Sequence, residues 1–173
     1  MTTLISSTRN EDVPARPFAA LLGFVLVCYA VAAVGALATV PAIPTWYAAL
    51  AKPSFNPPNW IFAPVWTTLY GLMAIAAWLV WRTPKAGPHA ASRTAGLNLF
   101  SVQLLLNALW TPVFFHYHQL LAALVVILCL VAAITLTILR FWKVDRFAAA
   151  LMLPYLAWVT FATALNYQIY RLN

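Results

Sequence analysis

KPSFNPPNWIFAPVWTTLYGLM, residues 52–73, changes character half-way along. Pro53, Pro57 and Pro58 each lack a backbone donor and fix φ, so residues 53–58 are excluded from a helix interior. Asn56 before Pro57, or Asn59 before the apolar run, is a candidate cap for the helix that follows. Within that helix Phe62, Trp66 and Tyr70 recur every fourth residue, which puts three aromatic rings on one face. A stiff loop folded over an aromatic helix face can close a pocket for a flat, apolar ligand.

Composition sets the surroundings of that loop and helix. The chain has 173 residues, 64% hydrophobic and 8% charged. Soluble domains carry roughly a quarter charged residues, so this chain lacks the polar surface that water requires. Its charges lie between long apolar runs, the pattern of membrane spans. For the same reason the net charge of +7 indicates membrane-flanking residues and not a nucleic-acid surface. Cys28 and Cys129 fall inside apolar runs and read as small hydrophobes, with no disulfide or redox motif.

Taken in order, residues 1–17 read as a polar tail and 18–173 as one all-α membrane domain, a bundle of five transmembrane helices. The spans are expected at about 18–40, 61–81, 94–115, 120–141 and 147–170. The first is longer than a signal-peptide core and reads as retained, ended by Pro41 and Pro44. Residues 41–60 form a loop with Trp46 and Tyr47 at its start, and 83–93 a basic loop. In the third span Asn98, Gln103 and Asn107 must avoid lipid. Gln103, Asn107, Trp110 and Phe114 share a face, and Pro112 predicts a kink. The fourth span is uniformly apolar, a packing helix. Asp145 is placed to cap the fifth, where Tyr155, Trp158, Ala162 and Asn166 share a face below Pro154.

Basic residues decide orientation. Arg9, Arg16, Arg82, Lys85, Arg93, Arg140, Lys143 and Arg146 fall on the amino-terminal side, and only Lys52 and Arg171 on the other. The positive-inside rule then puts the amino terminus in the cytoplasm.

Three motifs occur in order: KPSFNPPNW with FAPVWTTLY, LNALWTPVFF at 106–115, and PYLAWVTFATALN at 154–166. With them the chain, from about Phe18 to Asn173, resembles the TspO/translocator protein family, the tryptophan-rich sensory proteins. The resemblance implies a pocket for porphyrins and benzodiazepine-type ligands, lined here by Trp46, Tyr47, Phe62, Trp66, Tyr70, Asn107, Trp110, Trp158 and Ala162. It implies a homodimer in the lipid bilayer, with porphyrin as ligand and no required cofactor. Candidate dimer seams are Ala32/Ala36 and Ala95/Gly96. Some family members are described as degrading protoporphyrin with light and oxygen, which would make Trp66 and Trp158 the catalytic pair. Ser54 and Phe55 depart from the family pattern, where Trp is frequent. Leu165, Tyr167 and Arg171 fit the loose sterol-contact pattern, which also matches many ordinary helix ends.

Three functions are therefore expected in order: a porphyrin-binding sensor linked to stress response, a photo-oxidative porphyrin-degrading enzyme, or a transporter. Absence of intramembrane acids weakens proton coupling, and no inverted repeat is evident. His116-x-His118 has no further ligand nearby in sequence, so no metal is expected. The expected location is a bacterial inner membrane, with the outer membrane as the alternative.

Overall fold

The computed structural model describes residues 17–173; the polar tail expected at 1–17 otherwise lies outside the described residues. Among the described residues there is no strand. The helices are α1 (Pro17–Ala42), α2 (Phe62–Trp81), α3 (Ala90–Phe115), α4 (Leu120–Trp142), α5 (Arg146–Leu151) and α6 (Leu153–Leu172). Five helical runs among the described residues are long and apolar enough to cross a membrane, α5 and α6 together making the fifth. The chain is thus an integral, multi-pass, all-α membrane protein. Around the bundle the neighbours run α1, α2, α5/α6, α4, α3 and back to α1.

Pro41 and Pro44 do not end the first span. α1 passes through Pro41 and continues into a π-helical turn at Ile43–Tyr47. Pro44 cannot donate to the carbonyl four residues back and its ring crowds it, and a wider turn relieves the clash. Thr45 helps, since its Oγ1 donates to the Pro41 carbonyl at 3.0 Å. Trp46 and Tyr47 therefore sit on a helical turn, and the loop shrinks to about 50–58. Neither Asn56 nor Asn59 caps α2; Pro58 and Ile61 take the cap positions without side-chain bonds.

The third span also starts earlier than expected, at Ala90. Arg93, expected in a basic loop, is instead buried, and its Nε and Nη2 donate to the Trp81 carbonyl at 3.2 and 2.7 Å. This satisfies a carbonyl at the end of α2 that the helix itself leaves open. Gly87 makes the turn before α3 possible, at φ 100°.

Gly96 faces α4. A Cβ there would lie 2.9 Å from Phe141 Cδ1 and 3.2 Å from Arg140 Cβ, so glycine permits the close α3–α4 approach at this point. It is spent inside one subunit and does not provide an outward seam. Gln103 and Asn107 are buried as expected, but Asn98 lies on the exposed side of α3 with Ser101 and Leu105.

The fifth span breaks at Met152, between α5 and α6, because Pro154 takes one of the first two positions of α6, where no intrahelical donor is needed. Asp145 caps α5 as expected, accepting from the Phe147 and Ala148 amides at 2.8 and 3.0 Å.

Candidate ligand pocket

Between α1, α2, α3 and α6 lies a cavity of about 490 Å³. Its size falls within the range of small-molecule sites. The three faces recognised in the sequence converge on it: Phe62, Trp66 and Tyr70 from α2, Asn107 and Trp110 from α3, Trp158 and Ala162 from α6. Tyr47 reaches it from the π-turn, Leu165 and Asn166 from α6.

The rings interlock. Phe62 meets Trp158 edge-on at 5.8 Å, Trp66 meets Tyr155 edge-on at 6.2 Å, and Trp66 lies 5.6 Å from Tyr70. Such centroid distances are those of favourable aromatic pairs. Trp66 and Trp158 thus approach one cavity from different helices.

Trp46 does not line the cavity. Its ring stacks on His118 at 4.1 Å and meets Phe114 edge-on at 5.6 Å, which ties the π-turn to the α3–α4 turn. The widened turn inserts extra backbone, so ring directions no longer follow the phase of α1. Leu165 points into the cavity while Tyr167 and Arg171 are exposed. The three residues of the sterol-contact pattern therefore do not form one surface. Trp78 is occupied elsewhere, donating to the Pro17 carbonyl at 2.8 Å.

Amides and hydroxyls beside a pocket can meet a ligand's polar edge. Here they are instead largely used within the protein. Tyr70 Oη donates to Asn107 Oδ1 at 2.7 Å, and Asn107 Nδ2 donates to Tyr155 Oη at 2.9 Å. Trp110 Nε1 donates to Asn166 Oδ1 at 3.2 Å, and Asn166 Nδ2 to the Leu120 carbonyl at 3.0 Å. Buried amides and hydroxyls in lipid must be paired in this way. Their result is a mostly apolar slot whose polar groups are paired within the protein. The sequence also gave no sign that Asn173, far from the loop, would bond Ala51.

Gln103, one turn before Asn107, is fully buried, and among the described residues neither its Nε2 nor its Oε1 has a hydrogen-bond partner. Leucine of similar size removes two unpaired polar atoms. Gln103→Leu is expected to leave the thermal midpoint in detergent unchanged or raise it by a few degrees. A fall of more than about 4 °C, the scale of ~1 kcal/mol in a chain of roughly this length, would show that the amide has a partner.

This architecture defines a class: a five-span helical membrane protein with an aromatic pocket among its spans. The TspO/MBR family model matches residues 24–171, and the chain belongs to that family. It is 40% identical over 153 residues to tryptophan-rich protein TspO of Archaeoglobus fulgidus, covering 88% of this chain and 96% of that one. It is 38% identical over 156 residues to the tryptophan-rich sensory protein of Cereibacter sphaeroides, covering 90% and 92%. It is 42% identical over 128 residues to the human translocator protein, covering 74% and 75%. Family membership and these names support a sensory or regulatory role in the membrane.

Proposed function

We propose that the chain is a tetrapyrrole-binding membrane sensor, taking a porphyrin in the cavity between α1, α2, α3 and α6. The observation that carries the reading is the slot itself: about 490 Å³, walled by Phe62, Trp66, Trp110 and Trp158. Flat aromatic walls suit a flat conjugated ligand, which gains dispersion and stacking on both faces. The amides and hydroxyls around them are already bonded, so binding need not break a polar network. Lys52 lies with Nζ 4.9 Å from the centre of the Tyr47 ring and donates to the Ala48 and Leu50 carbonyls.

A second reading is favoured by the shared exposure of Trp66 and Trp158 to the cavity. Two oxidisable indoles beside a photosensitising ligand suit light- and oxygen-dependent porphyrin breakdown. Protoporphyrin titration separates the readings. Saturable tryptophan quenching in the dark, unchanged by light and oxygen, supports the sensor. Product formation that needs both light and oxygen, and that a blocked pocket abolishes, supports the enzyme. No saturable binding in either condition overturns both.

The proposed location is a bacterial inner membrane with the amino terminus in the cytoplasm, by the charge bias. In a Cys129→Ser background, Ser54→Cys should react with an impermeant maleimide from the non-cytoplasmic side and Lys85→Cys from the cytoplasm. The opposite labelling pattern would invert the topology. A homodimer is proposed through the outward face of α3, where Asn98 and Ser101 are exposed and Gly96 is not. A carboxamide facing lipid is costly, and a second copy would pair it. Asn98→Leu should shift the species in nanodiscs toward monomer; an unchanged dimer would remove α3 from the interface.

A further inference from the structure

We propose that the pocket fills from the bilayer, through a slit between α1 and α2, while Asn173 holds its water-facing end shut. The proposal rests on the reading of the cavity as the ligand site.

α1 is pinned at two heights to two different partners. Tyr29 Oη donates to the Thr67 carbonyl of α2 at 2.9 Å and lies 3.4 Å from where a Cβ on Gly71 would be. Two turns on, Gly35 lies against Thr111 of α3, where a Cβ would stand 3.5 Å from its Oγ1. Beyond Tyr29, α1 packs on α3 at Gly35, and the cavity lies between this part of α1 and the start of α2.

The gap opens onto the cavity. Ala33, Ala36 and Val40 of α1 and Ala63 and Thr67 of α2 both line the cavity and are exposed. A side chain that is at once cavity wall and outer surface marks a mouth. In a spanning bundle this mouth faces acyl chains. Tyr29 also stands in it, its hydroxyl bonded to the Thr67 carbonyl, and Thr67 Oγ1 donates to the Ala63 carbonyl at 2.9 Å; Asn59, exposed and cavity-lining, marks its end at the loop. Between the two spans the rim carries no charged side chain to oppose an apolar solute.

The opposite holds at the water-facing end. Asn173 Oδ1 accepts from the Ala51 amide at 3.1 Å, and its Nδ2 donates to the Ala51 carbonyl at 3.0 Å. One side-chain amide thereby takes both backbone groups of a single loop residue. Tyr47 Oη donates to Asn56 Oδ1 at 2.8 Å, and Phe55 packs edge-on against Phe161 at 6.2 Å. The 50–58 segment is fastened at three points along α6 and the π-turn. A flat, apolar solute is concentrated in the bilayer by partitioning, so a mouth there draws on the larger reservoir.

The test uses the full chain in nanodiscs and protoporphyrin IX, with association followed by stopped-flow tryptophan quenching. Ala36→Phe and Ala63→Phe, which narrow the slit, are expected to slow association at least tenfold. Asn173→Ala, which frees the loop, is expected to change it less than twofold. Slit variants that bind at the unaltered rate overturn the proposal, as does a tenfold acceleration by Asn173→Ala. A nitroxide on Ala36→Cys in a Cys129→Ser background gives a readout free of porphyrin. High collision with oxygen and low collision with a water-soluble nickel chelate are expected; the reverse overturns the slit. If the unmodified chain shows no saturable quenching, the porphyrin reading fails, and the nitroxide result still decides where the mouth opens.

Discussion

Asn107→Leu is expected to destabilise the bundle by about 1–6 kcal/mol and to weaken porphyrin binding. The carboxamide joins three helices: Tyr70 of α2 donates to its Oδ1 and its Nδ2 donates to Tyr155 of α6. All three residues are buried. Leucine fills much of the volume but leaves two buried phenols without that partner. Interhelical bonds inside membranes average only about 0.6 kcal/mol each, so two set the lower bound. An orphaned buried polar group costs ~1–3 kcal/mol, and two such phenols set the upper range. The two mechanisms separate in a larger cycle. Adding Tyr70→Phe and Tyr155→Phe removes the orphaned hydroxyls, so the triple variant should recover part of the loss. Thermal unfolding in one detergent measures both. An Asn107→Leu variant as stable as the parent would mean that the three-helix bond contributes nothing net.

Sequence patterns reported what lies along one helix and missed what lies between helices. The face Phe62–Trp66–Tyr70 was legible because residues four apart are neighbours on any α-helix. The face on α6 was legible for the same reason, and Asp145 announced its own cap by position. The spans followed from uncharged apolar length. Proline misled at Pro41 and Pro44, because a π-turn and the Thr45 hydroxyl absorb the break. That turn also carried Trp46 out of the cavity and onto His118. Asn98 and Gln103 looked alike as amides in a span, yet one is exposed and the other buried without a partner. The clasp of Asn173 on Ala51 joins residues 122 apart, and no local spacing encodes it.

The rigidity of the pocket follows from these inter-helix bonds more than from its aromatic walls. The Tyr70–Asn107–Tyr155 chain holds α2, α3 and α6 together beside the cavity, and Trp110–Asn166–Leu120 ties α3, α6 and the start of α4. A site built this way presents fixed walls to a ligand and adapts little. It should discriminate by shape, and added bulk should cost more than altered chemistry at the same volume.

Ala162→Trp is accordingly expected to reduce protoporphyrin affinity at least a hundredfold, about 2.7 kcal/mol or more. Ala162 is half-buried on the α6 wall, in the same cavity as Trp66 and Trp158. An indole there takes up space that the bonded helices cannot yield. Trp66→Phe and Trp158→Phe work differently, keeping an aromatic face and losing only part of the stacking area. Truncating a stacking ring to Ala costs ~1–3 kcal/mol per base in nucleic-acid complexes, so Trp→Phe should cost less than about tenfold in affinity. If the two indoles also carry photochemistry, product formation falls much further than binding in these variants. Ala162→Trp lowers binding and product together. Trp78→Phe is the matched control, since that indole is bonded to the Pro17 carbonyl away from the cavity. Dark titrations and illuminated turnover on the same four variants decide the matter. Binding lost on Trp78→Phe and retained on Ala162→Trp would place the ligand somewhere other than between α1, α2, α3 and α6.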